Sequence, residues 1–381
     1  MTRKPLLLLL GFISALALTA CAGASTDSNS NEIVIGEFGS LTGTTATFGI
    51  STKNGIDMAV DEINKAGGLL GKKVRIIVED DQGKPEEAQT VVTKLINKDQ
   101  VAAILGEVAS SRTMAAAPVA QQNGIPMITP SSTNPKVTQI GDYIFRVCFL
   151  DSFQGLVIAK FVSNTLKVKD VALLRDIKND YSVGLGDFFA QNFKSMGGNI
   201  VANESYSEGD TDFSAQLTAI KAKNPQAVIV PGYYTEVGLI VRQARNLGLN
   251  VPFVGGDGWD SPKLVEIGGA ALEGSYYANH LAVSDPDPAI QKFVSEYKSR
   301  YSAIPDALAG LAYDAANILF DAIKRANTTD GAKVRDAIAS TKDFAGVTGK
   351  ISIDKDRNAV KPAVILQVKN GQLQKVEAIA P

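Results

Sequence analysis

The sequence predicts an α/β protein built as two doubly wound lobes, and three observations carry that reading. From Ile33 onward, short apolar runs alternate with amphipathic segments of helical period. The alternation stops near Asp151 and then begins again. The chain has 381 residues, of which 45% are hydrophobic and 20% charged, enough for two domains that each bury a core. Strand–helix alternation implies parallel strands with helices on both sheet faces.

The elements follow in order. Ile33-Val34-Ile35-Gly36 reads as a buried strand. Lys53 to Lys65 places Ile56, Val60 and Ile63 on one helical face and stops at Gly67-Gly68. Val74 to Val78 is a second strand. Pro85 opens the next helix, where its missing N–H costs little, and that helix runs to about Asn97. Ala102 to Leu105 is a strand, Ser111 to Gln122 a helix and Pro126 to Thr129 a strand. In the second series Phe153 to Leu166 is helical, Asp170 to Leu174 a strand, and a helix after Tyr181 ends at Gly197-Gly198. Ala227 to Val230, Glu236 to Asn246, Phe253 to Gly255 and Ser275 to Ala278 continue it as strand, helix, strand and strand. Helices over Pro288 to Tyr301 and Asp306 to Ala326 have no evident place in the second lobe and are expected to return to the first. Gly349 to Val376 reads as short strands.

The first thirty residues are of another kind. Arg3 and Lys4 precede a run of about thirteen largely apolar residues, Leu6 to Leu18, which leads to Leu18-Thr19-Ala20-Cys21. A run this short falls below the roughly 20 residues a spanning helix needs. Charged start, apolar middle and small-residue end make a secretory signal. The pattern looks like a lipoprotein signal, with residues 1–20 removed and Cys21 carrying the lipid. Residues 21–31, rich in Ser, Ala, Asn and Gly, read as a flexible tether. Loss of Arg3 and Lys4 moves the formal charge from −2 to −4. No basic cluster marks a nucleic-acid partner.

The chemistry available is narrow. Cys148 is the one cysteine besides Cys21, so no internal disulfide is expected, and between Val147 and Phe149 it reads as a small buried hydrophobe. His280 is the single histidine. That count disfavours Ser-His-Asp and Cys-His catalysis and zinc sites of several His or Cys ligands. No Walker loop, C-x-x-C or G-x-S-x-G is present. A binding protein with no catalytic residues, metal or cofactor is expected.

Ordered segments then carry a family resemblance. They are Gly36-x-x-x-x-Leu-Thr-Gly43, Phe48-Gly49, Ala59-Val60-Asp61-Glu62-Ile63-Asn64-x-x-Gly67-Gly68 and Gly106-x-x-x-Ser110-Ser111. Ile125-Pro126, Pro130-Ser131-Ser132-Thr133, Tyr181, Gly232-Tyr233-Tyr234 and Gly256-Asp257-Gly258 complete the set. The chain resembles the leucine/isoleucine/valine-binding proteins of ABC transporters, type I periplasmic binding proteins, from about Glu32 to Gln374. The resemblance implies two lobes joined by three crossover strands, lobe 1 over 32–150 plus 281–354 and lobe 2 over 151–280 plus 355–381. It implies a ligand held between lobes that close on it.

Site residues follow from the same resemblance. Locally, Ser110 reads as a helix cap, Ser131 and Thr133 as turn formers in Pro-Ser-Ser-Thr-Asn-Pro, and Asp257 as a solvated turn. The matched positions imply instead that Ser110 grips an α-carboxylate, that Ser131 offers backbone contacts, that Thr133 offers its hydroxyl and N–H to the carboxylate and ammonium, and that Asp257 pairs with the α-ammonium. Relatives often carry Glu at the Asp257 position, so the acid arm here is one methylene shorter. Tyr181 and Tyr233 match ligand residues. Phe48 stands where relatives often have Tyr, and Trp259 is expected in the same wall; for each aromatic the local alternative is core packing or loop stapling.

The resulting expectation is a monomeric, extracytoplasmic, lipid-anchored solute-binding protein that delivers an apolar amino acid to a membrane permease. Alternatives within the binding class are an aromatic or polar amino acid or an amide such as urea. A sensory ligand-binding module is a further alternative, disfavoured because no membrane span or signalling domain follows Pro381. An enzyme is disfavoured by the missing catalytic motifs.

Overall fold

The computed structural model describes residues 1–2 and 31–381. The expected signal segment, the lipidation site Cys21 and all but the last residue of the tether lie in 3–30, outside the described residues.

Nine elements open the first lobe: β1 (Glu32–Gly39), α1 (Ala46–Lys65), β2 (Lys73–Asp80), α2 (Pro85–Asn97), β3 (Ile104–Leu105), α3 (Ser110–Gln122), β4 (Met127–Thr129), α4 (Lys136–Gln139) and β5 (Ile144–Arg146). Their strands pair in parallel in the order β2-β1-β3-β4-β5. The order reverses between β1 and β3. The loops leaving those two strands therefore diverge and open a crevice at the carboxyl end of the sheet. Phe48 follows β1 and Val108 follows β3, so both stand at that crevice.

The second lobe repeats the plan with α5 (Asp151–Lys160), β6 (Asp170–Asp176), α6 (Asp180–Ser195), β7 (Asn199–Tyr206), α7 (Ser214–Ala222), β8 (Ala227–Ile229), α8 (Tyr234–Asn246), β9 (Phe253–Gly255), α9 (Pro262–Gly268) and β10 (Tyr276–Asn279). The parallel order β7-β6-β8-β9-β10 again reverses, between β6 and β8. Tyr181 follows β6, Tyr233 follows β8 and Asp257 follows β9. Each thus stands where the loops of the second sheet part.

The chain then returns. Helices α10 (Pro288–Tyr301) and α11 (Ala307–Ala326) pack on α1, and α12 (Gly331–Ala339) packs on α11. Asn54 donates to Tyr297 Oη at 3.0 Å and Tyr313 Oη donates to Glu62 at 2.6 Å. A small sheet of β11 (Phe344–Gly346), β12 (Gly349–Ile353) and β13 (Ala359–Val360) borders β5, since Arg146 N donates to Arg357 O at 3.2 Å. Finally β14 (Ala363–Lys369) joins the second sheet antiparallel to β10, and β15 (Gln372–Ile379) pairs antiparallel to β14 at its edge. The chain thus passes between lobes three times, after β5, β10 and β13.

Some elements differ from the sequence expectation, for identifiable reasons. α1 begins at Ala46 and not at Lys53. Its first turns carry Thr, Gly and Ser, poor helix formers, and are held by packing. A Cβ on Gly49 would stand 2.2 Å from Ser40 O, and one on Gly55 2.1 Å from Ala309 O. Both glycines allow a backbone approach that a side chain would block. β7, α7 and α12 were not expected. β7 alternates weakly because it is the half-exposed edge of its sheet, and α7 buries only Leu217 and Ile220. Helix α5 passes into a π-turn at Phe161–Thr165 in place of an unbroken helix to Leu166. Among the described residues no helix is long and apolar enough to cross a membrane.

Candidate ligand-binding cleft

The two crevices meet across a small, nearly filled cavity of about 10 Å³. Phe48, Val108, Ser131 and Leu308 line it from the first lobe, and Tyr181, Tyr233, Asp257 and Gly258 from the second. That is room for about one water molecule, so an amino acid enters this cleft only when the lobes and wall residues move apart.

Its wall is aromatic. Phe48 meets Tyr233 edge-on at 5.4 Å and Tyr234 at 5.0 Å, across the cleft. Tyr181 stacks on Tyr233 at 5.4 Å with planes 6° apart. Asn179 sets Tyr181 in place by capping α6, accepting from Tyr181 N at 3.0 Å and Ser182 N at 3.4 Å. The Tyr181 hydroxyl accepts from Gly258 N at 3.1 Å, which fixes the turn that carries Asp257. Burial pushes both phenols well above their ordinary pKa, so they remain neutral.

The floor is a buried carboxylate held by neutral donors. Asp257 Oδ1 accepts from Gln154 Nε2 at 2.8 Å. Its Oδ2 lies 3.0 Å from His280 Nε2 and accepts from Ser131 Oγ at 3.5 Å. Ser131 belongs to the first lobe, so this last contact spans the cleft. Neither Gln154 nor His280 was singled out from sequence. His280 stacks on Phe149 at 3.7 Å with planes 23° apart, and burial lowers its pKa.

The loop after β4 is held from behind. Arg146, fully buried, donates to the carbonyls of Ser132 and, at 2.8 Å, Asn134, and at 2.7 Å to Asn358 Oδ1. Thr133 O accepts from Asp151 N at 2.9 Å, while Thr133 Oγ1 is buried with no partner. Asp151 is buried and neither oxygen has a partner. Burial first, and the charge of Asp257 second, push its pKa well above the carboxyl range. Ser110 is the first residue of α3 after Ala109, and its Oγ accepts from Asn134 N at 3.2 Å. Ser110 and Thr133 are buried beside the cavity and do not line it.

Trp259 departs from expectation. Its indole N–H donates to Val230 O at 2.9 Å, and the ring packs 6.0 Å from Tyr277 in the second-lobe core. A Cβ on Gly255 would lie 2.1 Å from this indole. The 3₁₀ turn Asp257–Trp259 points the indole inward, whereas Asp257 lines the cavity. The local alternative, core packing, describes it. Cys148 is buried and its thiol is pushed up to about 12 by burial.

The lobes touch along the rim. Arg112 Nη2 pairs with Glu208 at 2.9 Å, Thr235 Oγ1 donates to Thr44 O at 2.7 Å, and Thr47 and Ser261 hydroxyls meet at 2.8 Å. Ser111 Oγ donates to Asp180 Oδ2 at 2.9 Å and accepts from Asp180 N at 2.9 Å. This is a closed arrangement. Arg112 also donates to Ser40 at 3.0 Å and Thr45 at 2.9 Å, above a buried Glu107 whose pKa burial and Asp81 raise to about 8. Among the described residues no group of three or more His, Cys, Asp or Glu is placed to hold a metal ion.

A model of the family described as "Periplasmic binding protein" matches residues 32–372. The chain belongs to the periplasmic binding protein family. Its relatives narrow that statement. It is 34% identical over 324 residues to the Leu/Ile/Val-binding protein BraC3 of Rhizobium johnstonii, covering 84% of this chain and 87% of that one. The solved leucine-binding protein LivK of Thermotoga maritima is 40% identical with a TM-score of 0.88, covering 92% and 99% of the two chains. LivJ of Streptococcus pneumoniae, solved with isoleucine, is 38% identical with a TM-score of 0.87 over 92% and 100%. A more distant structural neighbour, a solute-binding protein of Rhodopseudomonas palustris solved with 3,4-dihydroxybenzoic acid, is 26% identical with a TM-score of 0.84 over 92% and 98%. These solved proteins share the fold while the ligands they were solved with differ.

Proposed function

We propose that this chain is the substrate-binding lipoprotein of an ABC importer and that its ligand is an apolar α-amino acid such as leucine, isoleucine or valine. The observation that carries the ligand class is Asp257: a carboxylate at an aromatic-walled cavity, buried and bonded only to neutral groups. A ligand ammonium supplies the missing positive charge. A benzoate-like acid brings a second negative charge beside Asp257 and no cation, so the amino acid is the better fit. Thr133, with its unpartnered hydroxyl, Ser131 and the start of α3 at Ser110 take the carboxylate. Phe48, Tyr181 and Tyr233 take the side chain.

Energetics set the division of labour. Burying such a side chain contributes about 1.5–3 kcal/mol, and micromolar binding needs about −8.2 kcal/mol. Most of the affinity therefore comes from the polar head. Ligand touches both lobes only when they meet, so binding favours the closed form. In this reading lobe 1 comprises 32–150 plus 281–360 and lobe 2 comprises 151–280 plus 361–381; the last boundary lies after β13 and not at the expected 354, because β13 pairs with β12. The protein acts as a monomer, tethered outside the cytoplasm by lipid on Cys21, and presents the closed form to a membrane permease. The test is a thermal-shift screen of amino acids and amides. Leucine, isoleucine or valine should raise the unfolding temperature. No shift with any of them or with phenylalanine, together with a shift on adding urea or another amide, refutes the amino-acid reading. Cys21→Ser should move the protein from the membrane fraction to the soluble fraction, and unchanged membrane association refutes the anchor.

A further inference from the structure

The single histidine sits against the group that this reading makes the ammonium acceptor. His280 Nε2 is 3.0 Å from Asp257 Oδ2, and its Nδ1 is buried with no partner. An ionised carboxylate only accepts, so the proton lies on Nε2 and the ring donates to Asp257. A bare Nδ1 lone pair facing no donor is then the cheaper tautomer, because a proton there would make a buried imidazolium.

The surroundings keep the ring neutral. It is sandwiched on Phe149 and is fully buried. The charged or titratable groups around this cluster are Asp257 itself, Asp260 beyond it in the same turn, Asp151 at the start of α5, Cys148, Tyr181 and the buried Lys361, with the Arg146 guanidinium behind Asp151 and Cys148. Lys361 acts against a positive charge on the ring, as does burial. The other donors to Asp257, Gln154 and Ser131, are also neutral. A cationic partner such as arginine in the place of His280 would hold the carboxylate equally well and would cancel its charge.

We infer that His280 is a positioning residue: as a neutral donor it holds the Asp257 carboxylate aimed at the cleft without a counter-charge of its own, leaving the carboxylate for the ligand's amine. The inference rests on the reading of Asp257 as the ammonium acceptor. It makes His280 a determinant of selectivity for amines over neutral or anionic ligands of the same shape.

The test compares His280→Phe, which keeps the stack on Phe149 and loses the donor, with His280→Gln, whose amide nitrogen falls near the Nε2 position. Affinity is measured calorimetrically for L-leucine and for 4-methylpentanoate, which has the same side chain and carboxylate but no amine. A hydrogen bond to a charged group has an effect of about tenfold or more on the equilibrium it controls. His280→Phe should weaken L-leucine binding by about tenfold or more, leave 4-methylpentanoate within about threefold, and His280→Gln should recover most of the loss. Full L-leucine affinity in His280→Phe while Asp257→Ala loses it overturns the role of His280 alone. Equal loss of both ligands, or no rescue by His280→Gln, reduces His280 to a packing residue and also overturns it. Full L-leucine affinity in Asp257→Ala refutes the underlying reading instead.

Discussion

Asp257→Ala removes the carboxylate that lines the cavity. In the free protein the change orphans two buried donors, Gln154 Nε2 at 2.8 Å and His280 Nε2 at 3.0 Å, and relieves the repulsion from Asp151. These terms act on the fold whether or not ligand is present. The term specific to binding is the ammonium left without a counter-charge in a water-poor cleft. Truncating one member of such a buried pair typically costs about 2–5 kcal/mol, roughly 30-fold to several thousand-fold in Kd. The side chain's own contribution of about 1.5–3 kcal/mol is untouched. A micromolar leucine site should therefore fall to tens of micromolar at best and to millimolar at worst. Titration calorimetry of both proteins with L-leucine reads this directly, with thermal unfolding to confirm that the variant is folded. A Kd within threefold of the unaltered protein refutes the pairing of Asp257 with the ligand amine.

Three further outcomes follow from the same geometry. Glu208→Gln breaks an ion pair of the rim, between Arg112 and Glu208 at 2.9 Å, and should weaken ligand binding several-fold by loosening closure; an unchanged affinity would show that this bridge does not favour the closed form. Asp306, which caps α11 and meets Ser51 at 2.5 Å, is pushed up to about 7 by burial and by Asp260 from the opposite lobe. Because its pKa is raised on folding, the protein should lose stability as pH rises from about 4 to 7. Asp306→Asn should therefore raise the melting temperature more at pH 8 than at pH 5, and an equal effect at both refutes the buried-acid account. The Cys148 thiol, pushed up to about 12, should resist alkylation at pH 8 until the protein is unfolded, and prompt labelling of the native protein would contradict its burial.

Much of the fold was legible because the central strands of the two large sheets are buried on both faces. Apolar runs such as Ala227-Val228-Ile229 stand out as strands, and the glycines after α1 and α6 mark helix ends. The first turns of α1 were hidden because Gly49 and Gly55 serve packing and not helix propensity. Phe48, Ser131, Tyr181, Tyr233 and Asp257 converge on one cavity although they lie far apart in the chain. No periodicity reveals that convergence; matched family positions do. Adjacency in sequence misled for Trp259, because two residues of 3₁₀ turn separate a cleft-facing acid from an indole in the core. His280 and Gln154 were invisible for the opposite reason. No motif marks either one, and only the docking of β10 and α5 around the β9 turn brings them to Asp257.

The most direct test is a crystal structure of the protein grown with L-leucine. The account predicts one leucine between the lobes, its ammonium within about 3.2 Å of Asp257, its carboxylate toward Thr133 and the start of α3, and its side chain against Phe48 and Tyr233. Leucine bound outside the cleft, or inside it with the ammonium turned away from Asp257, would contradict it.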